Sequence, residues 1–87
     1  MSYLTVVKLV EMKHQKDLLK SGCGVTVIDF EGPDLVIERL HEIGFHKGCQ
    51  LQILGVAPFY GPLLIELNMT VLALRDEESQ CLLIQLI

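Results

Sequence analysis

The side chains in this sequence with the chemistry to bind a metal are three histidines, His14, His41 and His46, and three cysteines, Cys23, Cys49 and Cys81. Imidazole and thiolate suit Zn²⁺ and late transition metals. His41 and His46 flank the end of a helical segment, and Cys49 follows His46 closely enough to share one ion with it. None of the spacings matches a closed four-ligand site, and a working centre also needs outer groups that orient its ligands. The expectation is therefore no resident metal and no other cofactor, with the cysteines serving as small apolar side chains. Their odd number and the absence of a C-x-x-C pair argue against a disulfide framework.

Catalytic groups are equally sparse. Ser2, Ser21 and Ser79 stand in terminal or turn contexts, without the elbow that presents a serine nucleophile to its base. Gly22-x-Gly24 leads into a strand and lacks the later glycine and lysine of a phosphate-binding loop. Asp76-Glu77-Glu78 reads as a solvated turn, which Arg75 beside it could orient. With no nucleophile–base or acid–base constellation, the chain is expected not to be an enzyme.

Recognition remains. Phe59 and Tyr60 sit between Pro58 and Pro62, and aromatics on a loop stiffened by prolines lose little freedom when a partner covers them. The competing reading makes Phe59 a plug for one end of the core, with Tyr60 lying over it. Ile37 and His41, on the helix side opposite Leu40, form a second candidate docking pair, against the plainer reading of a helical lid with one outward apolar residue. The candidate partner-binding residues are thus Phe59, Tyr60, Ile37 and His41.

The bulk numbers agree with a small binding module. An 87-residue chain holds one domain, and a domain of that size buries only about 60% of its unfolded surface. With 51% hydrophobic residues, some apolar surface should remain for a partner. A net charge of −4, with only seven Lys and Arg, argues against nucleic acid, whose binding depends on neutralising phosphates. No run approaches the ~18 apolar residues of a membrane span, and no export signal opens the chain. The cytoplasm is the expected location.

The elements that position these residues follow from periodicity. Val25 and Val27 alternate with Thr26 in a strand near 24–30, between Gly22-Cys23-Gly24 and Glu31-Gly32-Pro33. Pro33 suits the first turn of a helix and Asp34 its positive end. Val36, Ile37, Leu40 and Ile43 then mark one face of a helix near 34–43, with Gly44 as its C-terminal cap and Phe45 folding back onto it. Strands follow near 50–56, 63–67, 70–75 and 82–87, the last with Leu82, Ile84 and Leu86 inward. Asn68-Met69 forms a two-residue hairpin turn between the third and fourth. In the first sixteen residues, Leu4, Val7 and Val10 have helical spacing, whereas Tyr3 to Val7 reads as a strand; both remain open. The expected fold is all-β with a short helix, a small SH3-like barrel of about five strands whose closure removes most exposed edges.

Five motifs in order resemble the ferrous iron transport protein A (FeoA) family: Lys20-Ser21-Gly22-Cys23-Gly24, Leu40-His41-Glu42-Ile43-Gly44-Phe45, Gly48, Ala57-Pro58-Phe59-Tyr60-Gly61-Pro62, and Ala73-Leu74-Arg75. The resemblance covers residues 17–87 as the barrel domain and leaves 1–16 as an N-terminal extension longer than the family's usual start. Asn68 stands where the family commonly has glycine. The resemblance implies a cytoplasmic accessory protein of ferrous iron uptake. It would act by protein–protein interaction on the cytosolic portion of the transporter FeoB, which includes a GTP-hydrolysing domain, and would meet the membrane only through that partner. A related SH3-like domain ends the iron-dependent repressors. The alternative is therefore a transition-metal-sensing regulatory domain, with the region of His46 and Cys49 as its ion site.

Overall fold

The computed structural model describes residues 6–14 and 22–87. The expectations for Ser2, for Tyr3 to Thr5 and for Asp17 to Ser21 lie outside the described residues. Strand β1 (Val6–Lys8) runs into a 3-10 helix (Leu9–His14), followed by β2 (Cys23–Phe30), α1 (Asp34–Ile43), β3 (Gln50–Val56), β4 (Leu63–Leu67), β5 (Thr70–Leu74), a single-turn α2 (Asp76–Ser79) and β6 (Leu82–Leu86). The strands form one six-stranded sheet in the order β1-β6-β2-β3-β4-β5, with every neighbouring pair antiparallel. This is the expected SH3-like architecture with one strand more than the alternation revealed.

Alternation explains which side of the sheet is dry. Val25 and Val27 of β2, Ile53 of β3, Ile65 of β4 and Ile84 of β6 are completely buried, because successive strand residues point to opposite faces. Two register shifts, between Val27 and Asp29 and between Ile53 and Gly55, bend the sheet so that it wraps this core. Leu40 of α1 and Leu9 of the 3-10 helix, both at 0% exposure, close the core from outside the sheet.

Helix α1 begins on Pro33, whose carbonyl accepts the N–H groups of Val36 and Ile37. At its other end the Gly44 N–H donates to the His41 carbonyl and the Phe45 N–H to the Leu40 carbonyl, the paired bonds of a Schellman cap. Gly44 has φ 127°, which a side chain would resist. Phe45 is 1% exposed, so it does fold back against the helix.

Three expectations need correction. Ile43 is 45% exposed rather than on the buried face of α1, because the Schellman cap turns the chain inward two residues later, at Phe45. Leu86 is half exposed, since it lies at the end of β6 beyond the core layer. The barrel also leaves edges: β4 is the only strand beside β5, and β6 the only one beside β1, among the described residues.

Candidate partner-docking site

The loop from Ala57 to Pro62 joins β3 to β4. Its two ends are tied by the Ala57 N–H donating to the Pro62 carbonyl at 3.0 Å, and its interior by the Gly61 N–H donating to the Ala57 carbonyl at 3.1 Å. The inner bond closes a five-residue turn, Ala57 to Gly61, around Pro58, Phe59 and Tyr60. Both aromatics take left-handed backbone conformations, with φ 61° and 55°. For a residue with a Cβ this costs roughly 1–2 kcal/mol each, so the rest of the loop must enforce it. Pro58 restricts the chain inside the turn, immediately before Phe59. Gly61 allows its close return: a Cβ there would lie 2.9 Å from the Ala57 Cβ and 3.0 Å from the Pro58 carbonyl oxygen.

The turn holds both aromatics out of the core. Phe59 is 102% exposed, which excludes it as a plug of the barrel end, and Tyr60 is 72% exposed. The Tyr60 ring stands 6.4 Å from that of His14, tilted by 46°, so the 3-10 helix lies beside the loop. A shallow depression of about 250 Å³ continues from Tyr60 past Gly61 and Pro62 to Lys13, Arg75 and Asp76. Charged groups therefore border the aromatic pair. Arg75 orients the acidic turn through its backbone: its N–H donates to Glu78 Oε1 at 3.0 Å, and its carbonyl accepts the N–H groups of Glu78 and Ser79. Asp76 to Ser79 is thus one helical turn, with Asp76 paired to Lys13 and Glu77 to Arg39.

The second candidate pair is only partly engaged within the fold, since His41 is exposed. Ile37 is half-buried and packs against the core. The His41 Nδ1 lies 3.0 Å from the Phe45 carbonyl oxygen, to which it donates, and its ring packs 4.5 Å from that of Phe30. The more exposed apolar residue of α1 is Leu35, at 75%. Its position off the helical apolar face was the one signal for it in the sequence.

The metal-competent residues do not converge. Cys49 is in the core cluster, while His46 is exposed with Nδ1 3.1 Å from the Lys47 carbonyl. Among the described residues no three of His, Cys, Asp and Glu are grouped to hold an ion. All three cysteines are free thiols. Burial pushes the thiols of Cys23 and Cys81 up from their ordinary range, which disfavours the thiolate that nucleophilic attack and metal ligation need. Nor is any helix among the described residues long and apolar enough to cross a membrane.

Known proteins with this architecture point in one direction. The chain aligns over 97% of its length with all of the iron uptake regulatory protein FeoA in its crystal structure, with a TM-score of 0.76 at 21% identity. It is 31% identical to Stenotrophomonas maltophilia FeoA over 72% of this chain and 76% of that one, with a TM-score of 0.53. That protein was solved with zinc and is described as a prokaryotic SH3 domain protein and a candidate activating factor of ferrous iron transport. The whole chain also overlays 39% of ScaR, solved with bound Zn²⁺, at 15% identity and a TM-score of 0.76, a likeness of fold alone. No curated protein sequence matches the chain. The family model of the FeoA domain matches residues 17–86, four-fifths of the molecule, and the chain belongs to the FeoA family.

Proposed function

We propose that this protein is a cytoplasmic accessory factor of ferrous iron uptake. In this reading it docks on the cytosolic portion of a FeoB-like transporter through the loop from Ala57 to Pro62 and performs no covalent chemistry of its own. The observation that carries the docking element is the aromatic pair, held outward in strained backbone and bracketed by two prolines. Strain of this kind persists only where surrounding structure enforces it, and it gathers at ligand clamps and switches. Family membership supports the link to ferrous iron transport. Ile37 and His41 are the second docking candidates; their engagement with the core, Phe30 and Phe45 puts them behind the loop.

The metal-sensing reading draws on the zinc held by the S. maltophilia relative and by ScaR. The residues at His46 and Cys49 do not fit it, because one faces solvent and the other lies in the core.

The test is ferrous iron uptake by cells carrying the Phe59→Ala, Tyr60→Ala double variant, with circular dichroism of the purified protein. Truncation of an aromatic hot spot costs about 2 kcal/mol or more, a roughly thirty-fold loss of affinity. Uptake should fall to the level of cells lacking the protein while the domain stays folded. Unchanged uptake with a folded domain would move the contact to Ile37 and His41.

A further inference from the structure

Among the described residues, strand β5 is an open edge without the features that normally protect one. Its sequence, Thr70-Val71-Leu72-Ala73-Leu74, contains no charge and no proline, and it pairs with β4 over all five residues without a register shift. Protected edges are short, charged, bulged or proline-bearing. The opposite edge follows that rule among the described residues, where β1 spans three residues and ends in Lys8.

The hairpin register determines which backbone groups of β5 are free. The two-residue turn at Asn68-Met69 makes Leu67 and Thr70 its flanking pair. In a two-residue hairpin that pair exchanges both backbone hydrogen bonds, and bonded and non-bonded pairs then alternate. Thr70, Leu72 and Leu74 therefore bond to β4, while the N–H and C=O groups of Val71 and Ala73 point away from the sheet. Leu72, at the strand's centre, is only partly buried although it packs against the core.

We propose that this edge is where two copies of the chain associate, β5 against β5 in antiparallel register about a two-fold axis at Leu72. A second copy fits the edge in several respects at once. With Leu72 opposite its counterpart, Val71 of each chain faces Ala73 of the other, and these are the residues with outward-pointing backbone groups. Four hydrogen bonds form. The two Leu72 residues form a non-hydrogen-bonded pair, the closer of the two kinds, and each covers the other's exposed part. Beyond the strand, Arg75 faces Met69 and Asp76 faces Asn68, so no like charges meet despite the net charge of −4. The paired residues Val71, Leu72 and Ala73 are not part of the loop proposed to dock a transporter, although Arg75 and Asp76 at the rim also border that loop, and the inference does not depend on that reading. A contact this small belongs with weak, concentration-dependent interfaces.

Sedimentation of the full chain over a concentration series up to about 1 mM should show a mass rising toward twice 9.8 kDa. Val71→Lys should weaken the association at least about tenfold, because Lys is a charge on a formerly neutral edge. Ala73→Glu should do the same. The double variant should recover it, since each Lys then faces a Glu of the other copy. Hydrogen exchange on the unmodified chain gives a readout that needs no variant. The amides of Val71 and Ala73 should gain protection with concentration, while that of Leu72, already bonded to β4, stays protected throughout. A chain that remains monomeric at the highest concentration overturns the proposal. So does a dimer whose Val71 and Ala73 amides exchange at the same rate at every concentration, including one closed by a different surface.

Discussion

Lys13 carries the charge that this fold removes from water. Its side chain is 6% exposed, and its Nζ lies 2.5 Å from Asp76 Oδ1, on a carboxylate that is itself well exposed. A buried ammonium without its partner is costly, whereas an apolar side chain of similar length in the same place often costs nothing. The two halves of the pair should therefore respond differently. Lys13→Met should leave stability within ~0.5 kcal/mol of the parent or raise it, because the methionine keeps the stem's packing. Asp76→Asn should lower stability by about 1–2 kcal/mol, below the full cost of an orphaned buried charge since solvent reaches the Asp76 side. Urea unfolding of the two variants measures both. The sequence could not disclose this pair. Lys13 read only as one of seven Lys and Arg and Asp76 as part of a solvated turn, and 63 positions separate them. The same limit applied to His46 and Cys49: their spacing allowed a shared ion, but the strand that begins just after Cys49 turns its side chain into the core.

Among the elements, the two described loops that use left-handed residues other than glycine differ in how far the sequence disclosed them. Asn68-Met69 was legible as a hairpin turn because alternation on both sides leaves two residues between the strands, and Asn tolerates positive φ. Both residues have it, at 51° and 67°. Met69 is 94% exposed, so its side chain contributes little packing to offset the backbone strain. Met69→Gly, which restores the preferred Asn-Gly turn, should raise stability by about 0.5–1 kcal/mol, the relieved strain outweighing the extra chain entropy of glycine. A higher urea midpoint with an unchanged slope is the expected result. The loop at Phe59 and Tyr60 has similar dihedral angles, yet nothing in the residue types disclosed them, because aromatic residues have no preference for that region. What the sequence did convey was the rigidity supplied by Pro58 and Pro62. Strands β2 to β6 and α1 were legible for the converse reason: each is long enough for a period of two or 3.6 to repeat. Strand β1 was visible only as one of two open readings, because the β-branched run to Val7 competes with the helical spacing of Leu4, Val7 and Val10.

At the scale of the whole molecule, the core does not begin where the family match does. That match starts at residue 17, yet β1 adds to the sheet beside β6, and Leu9 and Met12 are 0% and 3% exposed within the core. Their three-residue spacing is the 3-10 repeat, which stacks every third side chain on one side. The helical spacing of Val7 and Val10 drew attention to neighbours that are only partly buried. A small domain has a stability of about 5–10 kcal/mol, and emptying a fully buried leucine site costs about 2–5 kcal/mol. Leu9→Ala should therefore remove a large share of the total, lowering the melting temperature by more than about 10 °C for a domain of this length. Val6→Ala, at a position 46% exposed on the same strand-to-helix segment, should stay within ~0.5 kcal/mol of the parent. Thermal unfolding of the two variants compares them directly. If Leu9→Ala proved as mild as Val6→Ala, the segment would be an arm laid on a self-sufficient barrel. The expected gap between them instead makes it part of the core, and places His14 on a structural element where its ring stands beside Tyr60, in the loop that also presents Phe59.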